Sequence, residues 1–380
     1  MMKSIYKLLL ALLLFAGTAS TMLGKDAERR EFTKTIKKEF NVSKTGTTAI
    51  YNKYGKVEIK TWDRNRVKID VTIVVDASSE SAAQKVFDLI NINFYNKEDY
   101  VKAETQIGDM KKEWWDWTTY VGNRNKIDYA INYDVYLPPT NNLELSNKYG
   151  DAYVAALEGK VNVDIKYGNI KMQSVNNNAK VVLAYGNGWL ESVQDMNGNL
   201  AYAKLVCSEV KDAEIVSKYS NVRLDKALNI LSNTTNDTYE VEQVNEFRNE
   251  GRYDNFKIGV VHDVIVNSKY TQVNVGKLNN VLDLNLGYGG ARIITIGKDF
   301  TSINLIGSHA DFRVGVTEGT SFKMDATANY ADIQYPSDMN ITYEKEKGSS
   351  HEVQGNRGGQ SARGIITARL NYGGLKVKQE

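Results

Sequence analysis

Three groups of residues in this chain have types and spacings that could do chemistry. The segment Glu113-Trp114-Trp115-Asp116-Trp117-Thr118-Thr119-Tyr120 gathers three of the chain's five tryptophans. Trp114, Trp115, Trp117 and Tyr120 could stack on sugar rings or seat a partner, since each brings a large apolar area with a polar handle; they could equally fold over an open end of the core. The second group is cationic. Lys148, Lys166, Lys218, Arg252 and Lys269, with Lys53, each directly precede a recurring tyrosine, and Lys171, Arg223, Lys257, Arg292, Arg313 and Lys376 stand four residues beyond the same recurring position. Stacked like charges repel, so such columns could await an anionic glycan, lipid head group or protein; the alternative is a solvated strand face that resists aggregation. The third group comprises Asp164, Asp212 and Asp225 with His262, His309 and His351. Glycan cleavage needs two or three carboxylates on one face, and a metal needs clustered ligands. These residues fall at unrelated places in the repeat, and no G-x-S-x-G, H-E-x-x-H or phosphate-binding glycine loop occurs. The expectation is no catalytic, cofactor-binding or metal site, with a polysaccharide lyase or hydrolase as the minor alternative.

The element that must position these residues is a repeat. Tyr54 is followed by Val57 and Ile59, and the same frame returns at Tyr149, Tyr167, Tyr185, Tyr202, Tyr219, Tyr253, Tyr270, Tyr288, Tyr330 and Tyr372, with Asn236 and His309 filling two slots. Residues at even offsets before the tyrosine are apolar, as in Val161-Val163-Ile165 before Tyr167 and Leu282-Leu284-Leu286 before Tyr288. Side chains alternate along a strand, so this pattern predicts an inward-facing strand ending at an inward-facing tyrosine. A corner follows, often with Gly, Asn or Asp, and a second short strand sends the third and fifth residues after the tyrosine into the same core. Repeats of about 17–21 residues built this way stack into a solenoid. The predicted fold is all-β: a single-stranded parallel β-helix of about 12 coils, right-handed because parallel crossovers take that hand.

Composition agrees. Glycine is frequent (29) and proline scarce (3), with Pro138, Pro139 and Pro336 all outside the frame. Continuous strands with tight corners need that balance. Lys3 and Lys7, the apolar run Leu8 to Phe15 and the small residues that follow read as an export signal over 1–24, and no later stretch is long and apolar enough to cross a bilayer. Removing that segment takes the formal charge from +2 to zero, which speaks against a general polyanion or nucleic-acid binder. The single cysteine, Cys207, falls on an inward position beside Leu190 and Leu224 of adjacent coils, so it should be buried and inert. With no cysteine near the leader's end, a lipoprotein is not expected, and the protein is placed in the periplasm, on the outer-membrane surface or outside the cell.

Residues 25–140 read differently, as a β-rich cap with one amphipathic helix over 78–90, carrying Ala82, Ala83, Val86, Leu89 and Ile90 on one side. An open solenoid end needs such protection against strand addition. The same helix could cover the outward apolar residues Val182, Ala184, Val206 and Val216. Residues 141–380 form the solenoid, with an inserted loop or hairpin near 337–362 that accounts for the long interval before Tyr372.

The pieces Tyr51-Asn52-Lys53-Tyr54-Gly55-Lys56-Val57-Glu58-Ile59, then Trp62-Asp63, and Asn147-Lys148-Tyr149-Gly150-Asp151 resemble the exported bacterial β-strand-repeat family labelled "putative adhesin", related to the head-GIN type. The resemblance spans about residues 40–380. It implies a cell-envelope β-solenoid of no known enzymatic activity, with no catalytic residues to carry over. The expected role is an adhesin-like or scaffolding module whose partner is an envelope or host-surface protein or glycan. The alternative is a glycan-binding protein that uses the aromatic loop and the basic sheet face.

Overall fold

The computed structural model describes residues 29–108, 128–358 and 362–379, which are almost entirely β-strand with one helix. Residues 1–24, expected to be an export signal, and the Trp114, Trp115, Trp117 and Tyr120 segment lie outside the described residues. Successive repeats lie side by side as parallel strands in register: Val161 pairs with Leu143 on one side and Ala179 on the other, and Leu190, Cys207 and Leu224 form one row. The alternating apolar residues line a continuous core, giving an all-β, solenoid-like fold. Cys207 is fully buried in that row, and burial pushes its thiol up to about 12, well above the range of a reactive thiolate.

The tyrosines correct the expectation. They do not face the core; each sits at a corner with its ring in solvent, 40–64% exposed. Among the described residues, the only non-glycine positions with positive φ are the repeat slots, at φ 51 to 62°. The corner turns the strand through a left-handed residue, and that breaks the two-residue alternation at the tyrosine. A left-handed L-residue costs roughly 1–2 kcal/mol. The compensation is stacking. Neighbouring rings lie 4.6–5.1 Å apart and within 4–14° of parallel from Tyr54 to Tyr219 and again from Tyr253 to Tyr330. At about 0.5–1.5 kcal/mol per aromatic pair, two neighbours per ring are enough to offset the strain. The backbone ladder continues through the corner, Tyr149 N donating to Lys166 O at 2.9 Å and Tyr167 N to Ala184 O at 3.0 Å.

Both ends depart from chain order. The coil of Tyr54 stacks directly on that of Tyr149: Thr47–Lys53 pairs with Asn142–Lys148, and Val57–Thr61 with Ala152–Val154. The intervening chain continues the sheet outward, first with the parallel strands Tyr100–Ile107 and Asp128–Leu137 and then with the antiparallel strands Arg66–Ala77 and Ile90–Lys97, and Arg30–Asn41, from before the coil of Tyr54, pairs antiparallel with Arg66–Ala77. The helix Glu80–Leu89, capped by the Ser79 hydroxyl accepting from Ala82 N, buries Ala83, Val86 and Phe87 against these end strands. It does not cover the Val182 to Val216 patch, where Val216 stays exposed. At the other end, Gly364–Gln379 inserts between Ser302–Val316 and Phe322–Gln334. Tyr372 therefore stacks between His309 and Tyr330 instead of following Tyr330. The hairpin of Asn340–Lys347 and Ser350–Arg357 pairs antiparallel with Phe322–Gln334.

Candidate functional site

The residue four beyond each corner projects outward from the sheet, and the parallel register turns these positions into one column: Glu58, Tyr153, Lys171, Trp189, Val206, Arg223, Glu240 and Lys257. At its start two aromatic side chains, Tyr153 (40% exposed) and Trp189 (41% exposed), flank Lys171 on adjacent strands. Together with Glu58, Lys60, Glu191 and Ser208 they line an open recess of about 510 Å³. Its rim charges are fixed. Lys56 donates to Glu58 at 3.0 Å and holds that carboxyl below the usual carboxylate range, while Asp134, 3.0 Å from Lys60, raises the Lys60 ammonium. Lys56 also lies 5.9 Å from the centre of the Tyr153 ring. The recess thus offers aromatic surface, an ionised acceptor and ammonium donors on a rigid sheet. Those are the groups that bind a sugar ring, with hydrophobic stacking on one face and hydroxyl partners at the edge.

The cations before the tyrosines all point outward but do not form one stripe. Lys53, Lys148 and Lys166 are neighbours, Ala184 and Ala201 follow, Lys218 stands alone before Thr235, and Arg252 adjoins Lys269. Lys148 spreads over the rings of Tyr149 (4.9 Å) and Tyr167 (5.9 Å), and Lys166 lies 3.5 Å from Asp164. Asp225 pairs with Arg223 at 3.1 Å, and Asp212 with Lys211 at 3.3 Å, so the carboxylates singled out in the sequence serve local ion pairs. His309 is a member of the ring stack, His262 contacts Asp263 at 3.0 Å, and His351 contacts Glu344 at 2.9 Å. Among the described residues no three His, Cys, Asp or Glu side chains are grouped to hold a metal.

One feature escaped the sequence reading. Beneath the corners from Tyr219 to Tyr270 the core is polar. Asp237 accepts from Ser217 Oγ at 2.7 Å and Ser220 N at 2.6 Å; Asp254 accepts from Thr234 Oγ1 at 2.7 Å and Asp237 N at 2.9 Å. Tyr239 OH meets Ser217, and Asn249 reaches Ser232 and Thr234. Burial raises both carboxyls, Asp254 to about 6. The signal was present as Ser217, Ser232, Thr234, Asn249 and Ser268 at inward strand positions, each paired in space with a hydrophilic corner. Both aspartates are closed off from solvent, so this network shapes the corner and offers no reaction site. Trp189 and Tyr153 were also missed, because only the register of three coils brings them to one face.

No family model matches the sequence, and no curated protein does. Solved structures similar to the chain include one called a "putative adhesin" from Parabacteroides merdae (12% identity, 74% of this chain and 96% of that one, TM-score 0.31). Another is called a "putative cell adhesion protein", from Clostridium sporogenes (11% identity, 93% and 100%, TM-score 0.18). A third, from Parabacteroides distasonis, is called a "putative lipid binding protein" (10% identity, 92% and 96%, TM-score 0.24).

Proposed function

We propose that the protein is a non-catalytic, exported cell-envelope module, adhesin-like or scaffolding, that binds through an extended rigid surface. The coil is read as right-handed with about 12 turns, parallel crossovers taking that hand. The observation that carries the reading is the pair Tyr153 and Trp189, held exposed on either side of Lys171 by strands that cannot shift without breaking a continuous core. Exposed aromatics on a preformed scaffold bind with no backbone to order and few side-chain torsions to fix, which favours them at recognition surfaces. The same pair favours a glycan of the envelope or of a host surface as the partner.

The test is binding of the purified protein, from about residue 25 onward, to a panel of envelope and host glycans at low and moderate salt. Specific binding that weakens about tenfold or more in Trp189→Ala or Tyr153→Ala supports recognition at the recess. Binding lost only in Trp115→Ala moves the site to the aromatic loop. Silence across the panel favours a protein partner, and turnover of any glycan in it would overturn the non-catalytic reading.

A further inference from the structure

The outward column that begins with Tyr153 changes character at its other end. In its middle, cations meet carboxylates: Arg223 pairs with Asp225 and Glu242, and Lys257 with Glu240 at 2.9 Å. Beyond Lys257 this alternation stops. Arg292 lies in register with Arg313, and Arg313 with Lys376, so three cations occupy adjacent strands. Neutral amides bound the run, Asn274 four residues beyond the preceding corner, Tyr270, and Gln334 in register with Lys376. Like charges directly opposite each other destabilise a sheet. No carboxylate among the described residues forms an ion pair with any of the three. Asp311 precedes Arg313 by two residues without pairing, and Asp332 is taken by the Gln334 amide at 2.8 Å.

The space beside these cations is also kept clear. Gly315 stands two residues after Arg313 and brings no side chain into it. The result is a recess of about 250 Å³ walled by Arg292, Arg313, Lys376 and Lys378 over the backbone of Gly315. Guanidinium groups bind oxyanions through paired N–H donors, and lysine adds a point charge. Strand spacing sets the interval between successive charges at about 4.8 Å along the stacking direction.

We propose that Arg292, Arg313 and Lys376 form a cradle for the closely spaced phosphate or sulfate groups of a linear polyanion lying along the stack. The cradle is separate from the aromatic recess, and either can exist without the other. The test is calorimetric titration of the whole protein at low salt with tripolyphosphate, orthophosphate, dextran sulfate and neutral dextran. Tripolyphosphate and dextran sulfate bind, and tripolyphosphate binds more tightly than orthophosphate. Added salt weakens both, because the charges are exposed. Arg313→Gln weakens binding by about tenfold, the loss of one charge-assisted contact, and Lys376→Gln weakens it in the same direction. Without anion, Arg313→Gln unfolds no earlier than wild type, since it removes repulsion. Arg223→Gln, in the neutralised middle of the column, leaves binding unchanged, and Trp189→Ala does too. Absence of tripolyphosphate binding overturns the proposal. So does orthophosphate binding as tightly as tripolyphosphate, an equal loss in Arg223→Gln, or capture by phosphatidylglycerol vesicles with no response to either polyanion.

Discussion

The same tyrosine corner is built over two different interiors. From Tyr54 to Tyr185 the residue after the tyrosine is glycine, and the coils approach so closely that a Cβ on Gly168 would stand 2.1 Å from Gly150 O. From Tyr219 to Tyr270 that position holds Ser220, Asp237, Asp254 and Thr271, buried and hydrogen-bonded to the neighbouring coils. The rings outside are the same in both regions, apart from Asn236 in one slot. The lesson is that the left-handed corner and its stack set the backbone path, whereas the inside of the corner can be closed either by bringing carbonyls together or by filling the space with paired polar groups. The first solution tolerates no side chain. The second needs hydrogen-bond partners for its buried carboxylates, which Ser217, Ser220, Thr234 and the backbone supply, although Asn249 Oδ1 keeps none.

Substitutions can break that contrast, and the largest effect belongs to the tight region. Gly168→Ala should destabilise by about 3 kcal/mol, because the new Cβ meets backbone that cannot rotate away. Ala203→Gly, at the equivalent place where a Cβ already fits, should cost under about 1 kcal/mol. Denaturant midpoints of the two variants measure the difference.

The polar region should announce itself through pH. Asp254 has its folded pKa raised to about 6, so the folded state binds this proton more strongly than the unfolded state. Its contribution is therefore most favourable below the unfolded value near 3.8 and is lost as pH rises toward 6. The full swing is about 2–3 kcal/mol at 1.36 kcal/mol per pK unit. Subtracting the stability–pH profile of Asp254→Asn from that of the wild type should leave that downward slope between about pH 4 and 6. A flat difference would mean that the carboxyl is not desolvated.

Smaller effects test the shared exterior. Tyr185→Asn keeps a residue that accepts the left-handed corner but removes two ring contacts, and should cost about 1–2 kcal/mol. The reverse change, Asn236→Tyr, joins the two halves of the stack and should raise stability by about 1 kcal/mol. If the two changes fail to oppose one another in thermal melts, the stack contributes less than the corner strain it accompanies.

Much of this architecture was legible because it is periodic. The offsets of the apolar residues predicted the core row of Leu190, Cys207 and Leu224, and the Ser-rich start with Ala83 and Val86 predicted the helix that closes one end. The tyrosines were placed on the wrong face because strand alternation was extended through a residue that turns the chain. A residue with φ near +60° has left the strand, so counting by twos no longer applies to it. The cationic stripe before the tyrosines was likewise legible residue by residue but not as a surface, since Ala184, Ala201 and Thr235 interrupt it only once the coils are stacked.

By itself, then, the sequence determined what depends on local spacing: strand faces, corners, the helix and the burial of Cys207. Tertiary structure alone decided which remote segments lie side by side. Nothing in the spacing places Tyr372 between His309 and Tyr330, joins the coil of Tyr54 to that of Tyr149, or sets Lys376 directly beside Arg313. A repeated pattern fits any neighbouring coil almost equally well, so the order at each end is settled by which arrangement buries the exposed sheet edges. The outward columns, where both proposed binding surfaces lie, inherit that order.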